Sequence, residues 1–153
     1  MKVIIRNAAE SDLDALAMLE RECFENPWEI QDIREELIRP LAHALVAVQE
    51  DSLQFPSGAL FFRMAADEME ILKIVVRQAN RRRGLASLLL SHGISLAGEK
   101  GAVSCFLEVR PSNHAAVRFY ERKRFYEIGR RRGYYATDGE DALVLKKDIH
   151  PNE

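Results

Sequence analysis

The stretch RRRGLA, Arg81–Ala86, sets three consecutive cations against a glycine, directly ahead of a leucine-rich run. A glycine between a strand and a helix lets the backbone approach a ligand closely. The first N–H groups of a helix lack intrahelical partners, and the helix dipole adds positive character there. Together these features suit an anion, most often a phosphate. No Gly-Lys-Ser/Thr follows, so this is not a Walker loop, and the spacing is not GxGxxG. An ordinary basic helix entry is the plain alternative. Nucleic acid is the other rival for the arginines. The basic run is short, however, and Leu85, Leu88, Leu89 and Leu96 bury the helix that follows. A second basic cluster in RFYERKRF and GRRRGYY leaves RNA contact open.

Glu108 is a carboxylate inside an apolar run, VSCFLEV. By alternation it shares a face with Ser104 and Phe106, opposite Cys105, Leu107 and Val109. Glutamate is poorly suited to a central strand, and burying its charge unpaired is costly. Without a functional role it must meet solvent or an arginine such as Arg110 or Arg118. Tyr120, beside Phe119 on an amphipathic helix, reads by itself as packing. Asn113 suits a helix N-cap. His43, His92, His114 and His150 show no metal spacing, and no metal is expected. Cys23 and Cys105 form no CxxC and no Cys/His cluster, which fits a reducing cytosol without a disulfide framework.

These residues need elements to hold them. KVIIR reads as a strand. Ser11, with Asp14 three residues on, resembles a capping box for a helix carrying Leu13, Leu16, Leu19 and Cys23. Asn26–Trp28 opens a second helix striped by Ile30, Ile33 and Leu37, with Pro40 beyond its end. HALVAVQ is a strand, EDSLQFPSG a loop, and ALFFRMA and EMEILKIVV are strands, the last apolar enough at its end to be central. The Arg-Gly stretch opens a helix to about Glu99, with Gly101 as terminator. VSCFLEV is a strand, and Asn113 starts a helix to about Lys123. FYEIGRRR and DALVLKK read as antiparallel strands joined through GYYATDGE, with its Asp-Gly turn signal. The order predicts one mixed α/β domain over residues 1–153, without repeat or linker.

A net charge of −2 hides an asymmetry: residues 1–70 carry −9 and residues 71–153 carry +7. A basic half suggests an anionic partner; a merely uneven solvated surface is the alternative. No apolar run approaches the roughly 20 residues of a membrane span, and MKVIIRNAAESD is too short in apolar residues for a secretory signal.

Several stretches, in order, resemble the Gcn5-related N-acetyltransferase (GNAT) superfamily. RRRGLA satisfies its pyrophosphate pattern, [RQ]-x-x-G-x-[GA]. ILKIVV before it and FLEVRPSNHAAVRFYERKRF after it strengthen the match. NPW and RRRGYYATDGEDALVL add similarity to the branch of ribosomal-protein alanine N-terminal acetyltransferases, the RimI-like branch. The likeness runs from about Val3 to Lys147. It departs at Ala86, which must keep φ negative, and at YYATDGED, about two residues shorter than the usual branch form.

The resemblance implies a mostly antiparallel central sheet with helices on both faces, splayed beside an acetyl-CoA site. Pyrophosphate would meet the amides of Arg82, Arg83, Gly84, Leu85, Ala86 and Ser87, and Asn113 would also contact CoA. Ile74, Val75 and Val76 would align the pantetheine, and an N–H near Val76 would polarise the thioester carbonyl. Glu108 matches the general base, and Tyr120 the acid that protonates departing CoA thiolate. Trp28, Tyr134 and Tyr135 are candidates for a peptide groove, with packing as their alternative. Cys105 as an acyl carrier is the competing mechanism; its face is apolar and no histidine lies nearby in sequence. The implied reaction is direct acyl transfer to a protein N-terminus, of a ribosomal protein, in the cytoplasm, with no membrane or direct nucleic-acid role. A small-molecule amine or lysine acceptor, and a CoA- or RNA-binding module without activity, are the alternatives.

Overall fold

The computed structural model describes residues 2–53 and 55–150. Gln54 of the expected loop, and Met1 and residues 151–153 of the expected single domain, lie outside the described residues. β1 (Val3–Asn7) leads into α1 (Leu13–Cys23) and α2 (Ile30–Ile38). β2 (Ala42–Gln49), β3 (Gly58–Ala65) and β4 (Glu68–Val76) follow as a meander. Then come α3 (Leu85–Glu99), β5 (Ser104–Val109), α4 (His114–Arg122), β6 (Tyr126–Arg131) and β7 (Ala142–Asp148). The result is the expected mixed α/β fold.

The sheet runs β1-β2-β3-β4-β5-β7-β6. All neighbours are antiparallel except β4 and β5. Strand alternation divides the core in two. Ala59, Phe61 and Val75 face Leu16, Leu19 and Ile33 of α1 and α2. Leu60, Phe62, Cys105 and Leu107 face Leu89, Ile94 and Tyr120 of α3 and α4. Gly93 lets α3 lie close on the sheet, because a Cβ there would collide with Leu60.

The central pair is short. β4 and β5 pair only over Glu68–Glu70 and Ser104–Phe106. β5 continues to Val109 against β7, while β4 continues to Val76 against β3. A gap therefore opens between them towards their C-terminal ends. The register with β3 also skips Leu72, since Phe62 faces Ile71 and Phe61 faces Lys73. Such a bulge increases local twist and bends the strand.

Two expected helix starts are wrong. Ser11 and Asp14 form no box. Asp12 accepts from the Ala9 N–H at 2.7 Å and forks onto Arg6 at 2.8 and 2.9 Å. An acid already held by a cation from β1 takes the capping place. α2 opens at Ile30 rather than at Asn26–Trp28, with the Glu29 N–H donating to Asp32 at 2.9 Å. The Trp28 N–H is committed elsewhere, to Glu20 Oε1 at 2.8 Å.

The Arg6 guanidinium holds Asp12 below the usual carboxylate range, and Arg63, at 2.7 and 2.9 Å, does the same to Glu36. A carboxyl lowered by folding stabilises above its unfolded value, and that contribution is lost as pH falls through the lowered one. The thermal midpoint should therefore fall below about pH 4. Glu36→Gln should flatten that fall in melts recorded across pH; a slope equal to the parent's would exclude the pair as its source.

Candidate active site

α3 starts at Gly84 with φ +76°, and no side chain caps its first turn. Leu88 is the residue whose N–H returns to the Gly84 carbonyl, at 3.0 Å. The amides of Leu85, Ala86 and Ser87 precede it and have no helical acceptor. Ala86 lies within the helix, so the left-handed geometry falls on Gly84 and, two residues earlier, on Arg82 at φ +66°.

These amides border a cleft of about 550 Å³. The cleft is walled by Ile74, Val75 and Val76 from β4, by Arg82, Gly84, Leu85, Ala86 and Ser87, and by Asn113 and Tyr120. Arg83 is the exception: it is exposed and does not line the cleft. A cation without an anionic partner gains by staying hydrated. Asn113 caps α4 by accepting from the Ala116 N–H at 3.2 Å. Its side chain is thus engaged in the protein, at the cleft wall.

Sequence reasoning missed several wall residues: Cys23, Phe24, Asn80, Ala115, Ala116 and Phe119. Asn80 adjoins the Arg-Gly stretch, and the small Ala115 and Ala116 follow Asn113, so these carried a local signal. Cys23 and Phe24 carried none, because tertiary packing brings the end of α1 against β4, with Cys23 Sγ 3.6 Å from the Val76 carbonyl. Arg81, read only as part of the basic run, donates from Nε to that same carbonyl at 3.1 Å.

Glu108 does not share this cleft. It lies on the opposite face of β5 from Cys105, Leu107 and Val109, which pack with Tyr120. There it borders a second cleft, of about 630 Å³, with Glu70, Phe106 and Arg131. Its partner is Arg131, whose Nε is 2.7 Å from Oε1. The suggested partner Arg110 is taken instead by Asp138 and Glu140, at 2.8 and 3.2 Å. Tyr134 also reaches Glu108, and that hydrogen bond holds its phenol above the ordinary value. Tyr135 lies under Arg110, 3.8 Å from ring centre to guanidinium, and burial raises its phenol. Trp28 is not with these tyrosines; it packs edge-on against Phe61 at 5.3 Å, on the α1–α2 side.

Tyr120 is buried, and desolvation pushes its phenol far up, so it stays protonated at neutral pH. Its ring meets Phe119 and Phe125 edge-on at 5.2 and 5.3 Å. The two clefts thus set a carboxylate on one face of the split sheet and a protonated phenol on the other.

The sequence pattern of the Acetyltransferase (GNAT) family matches residues 13–125. The chain belongs to this family. It is an N-acetyltransferase. An N-alpha-acetyltransferase of Mycobacterium tuberculosis is 32% identical over 149 residues, covering 95% of this chain and 92% of that protein. A Bacillus subtilis protein provisionally named a ribosomal protein bS18-alanine N-acetyltransferase is 32% identical, covering 94% of each chain. The crystal structure of the Escherichia coli ribosomal-protein-S18-alanine N-acetyltransferase superposes with TM-score 0.86 at 29% identity, over 97% of this chain and 94% of that one. Arabidopsis thaliana NAA60 in complex with acetyl-CoA shares the fold, with TM-score 0.84 at 20% identity, over 97% of this chain and 99% of that one.

In this GNAT enzyme Cys105 makes a poor acyl carrier. It is fully buried, and desolvation raises its thiol to about 12, far from the thiolate that nucleophilic attack requires. Among the described residues no group of His, Cys, Asp or Glu is arranged to hold a metal ion, and no helix is long and apolar enough to cross a membrane.

Proposed function

We propose that this GNAT enzyme moves the acetyl group of acetyl-CoA onto the N-terminal α-amine of a protein in the cytoplasm, with the N-terminal alanine of ribosomal protein bS18 as its acceptor. The observation that carries this is the likeness, along nearly the whole chain, to the Escherichia coli enzyme named for that reaction. Residues 1–153 act as one catalytic domain.

The lining of the cleft supports acetyl-CoA as the group it takes. Uncapped amides of Leu85, Ala86 and Ser87 at a helix N-terminus suit a pyrophosphate. Ile74–Val76 of β4 run past the last pairing with β5 along the cleft wall, where an extended backbone edge suits alignment of a pantetheine. Acetyl-CoA supplies the activated acyl carbon. An N–H near Val76 polarises its carbonyl oxygen. Glu108 takes the proton of the acceptor amine, directly or through water, from the opposite face of the sheet. Tyr120, neutral and buried, gives a proton to the leaving sulfur. Trp28, Tyr134 and Tyr135 flank the acceptor.

Protonation favours an α-amine over a lysine. Freeing the lone pair at pH 7 costs about 1 kcal/mol for an N-terminus and about 4.6 kcal/mol for a lysine side chain. An acetyl-CoA assay against N-terminal peptides, lysine peptides and small amines tests the reading. Transfer to alanine-starting peptides, with the acetyl group on the α-nitrogen, is expected; acceptance of small amines alone would overturn it. Tyr120→Phe should lower kcat by about 10²-fold and leave acetyl-CoA affinity within about twofold. A loss confined to acetyl-CoA binding would remove Tyr120 as the acid.

A further inference from the structure

Lys73 stands at the bulge of β4, on the sheet face covered by α1 and α2. Its ammonium lies 2.7 Å from Glu20 Oε1, 4.1 Å from the centre of the Trp28 ring and 4.5 Å from that of Phe24. Glu20 is 1% exposed, and the same Oε1 also accepts the Trp28 N–H. Its other oxygen, Oε2, is buried without a hydrogen-bond partner among the described residues. A half-satisfied carboxylate in a core is an expensive arrangement, and an apolar side chain would serve packing better.

The position of the cluster suggests its use. One cation ties together α1 through Glu20, the α1–α2 connection through Phe24 and Trp28, and β4 beyond its last pairing with β5. Phe24, under the ammonium, and Ile74, the next residue of β4, both wall the first cleft. Glu108 lies on the same sheet face as Lys73, on the strand across the gap. Glu108 and the cluster thus flank the gap between β4 and β5 from its two strands, on one face of the sheet. Because Glu20 neutralises Lys73 at contact distance, the pair projects little net charge, and what it contributes is geometry.

We propose that Lys73 is a positioning residue of the acceptor site: it clamps residues 24–28 against β4 and so limits the size of the first side chain an acceptor can present. The inference rests on N-terminal acetylation as the reaction. Two kinds of cation contact fix the clamp, an ion pair to Glu20 and ring faces on Phe24 and Trp28.

Trp28 is the single tryptophan of the chain, so its emission reports on the clamp without any substrate. The test compares Lys73→Met, the conservative Lys73→Arg, and the double variant Glu20→Gln with Lys73→Met, which leaves no buried charge unpaired. In Lys73→Met and the double variant, Trp28 emission should shift to the red and become quenchable by iodide. The KM for an alanine-starting peptide should rise about tenfold while that for acetyl-CoA stays within about twofold. Peptides starting with leucine or methionine should gain relative to alanine. Lys73→Arg should keep all three properties near the parent's. If Lys73→Met fails to fold, the double variant decides. Both KM values rising together, or an unchanged acceptor KM and unchanged first-residue preference, would overturn the clamp. If the parent acetylates no peptide N-terminus, the reading of function fails by itself. The fluorescence comparison and the KM for whichever amine is accepted then still decide the role of Lys73.

Discussion

Glu108→Gln should lower kcat/KM for a peptide N-terminus by about 10²-fold at pH 7. Glutamine keeps the length of the side chain and an oxygen for Arg131 Nε, now 2.7 Å away. What it loses is the capacity to accept a proton. The parent captures an ammonium and deprotonates it in place, whereas the variant must wait for amine that is already neutral. An α-amine has its pKa near 7.7–8.0, so the neutral fraction rises about tenfold for each pH unit below that value and then levels. The deficit should therefore shrink by about tenfold between pH 7 and pH 9. Arg131→Met separates catalysis from mere pairing. If Glu108 served only to hold Arg131, the two substitutions would have like effects at every pH. As a base, Glu108 gives the larger loss and the only one that fades with pH. Steady-state rates across that range decide it, and an unchanged rate for Glu108→Gln at pH 7 would remove the residue from the chemistry.

The pairing of Glu108 illustrates what sequence patterns reach and what they miss. Alternation along VSCFLEV put Glu108 on the face away from Cys105 and Leu107, and the strand carries it there. Sequence proximity offers only local arginines such as Arg110 and Arg118 as its cation. Arg131 arrives from β6; the Asp-Gly signal announces its hairpin with β7, but the placing of β7 beside β5, which brings Arg131 to Glu108, is a long-range pairing that no local pattern carries. The gap between β4 and β5 was legible only through family resemblance, because parting depends on the length of pairing rather than on either strand's composition. In sequence Lys73 is only one polar residue in ILKIVV. Its weight comes from the skipped register at Leu72 and from Glu20, on a helix far away in sequence. The Asn113 cap is local and forms, whereas the Ser11 cap fails for the same long-range reason: Ser11 has the right type, but Asp12 is already held by Arg6. The Arg-Gly stretch is legible in sequence, since a strand end, a glycine and a helix start are contiguous and need no distant partner.

That stretch yields the second large effect. Gly84→Val should weaken acetyl-CoA binding by about 10²-fold, more than alanine at Arg81, Arg82 or Arg83. A Cβ on Gly84 would meet no protein atom within 4 Å, so internal collision is not the cause. The cause is φ at +76°, a region that costs an L-residue about 1–2 kcal/mol and a β-branched one more. A valine there relieves its strain by turning the start of α3, which moves the amides of Leu85, Ala86 and Ser87 off a common target. The arginines act differently. They are exposed at this helix entry, where solvent and salt screen each charge, and single losses of about two- to fivefold are expected. Arg81 should be the largest of them because it also holds the Val76 carbonyl at 3.1 Å. Calorimetric titration with CoA at two salt concentrations separates the two causes. Arg→Ala should reduce the salt dependence of affinity, whereas Gly84→Val should lower affinity and keep that dependence. Gly84→Ala, which adds strain with little bulk, should fall between. An arginine variant weaker than Gly84→Val would mean that side-chain charge, rather than the backbone of the helix entry, holds the pyrophosphate.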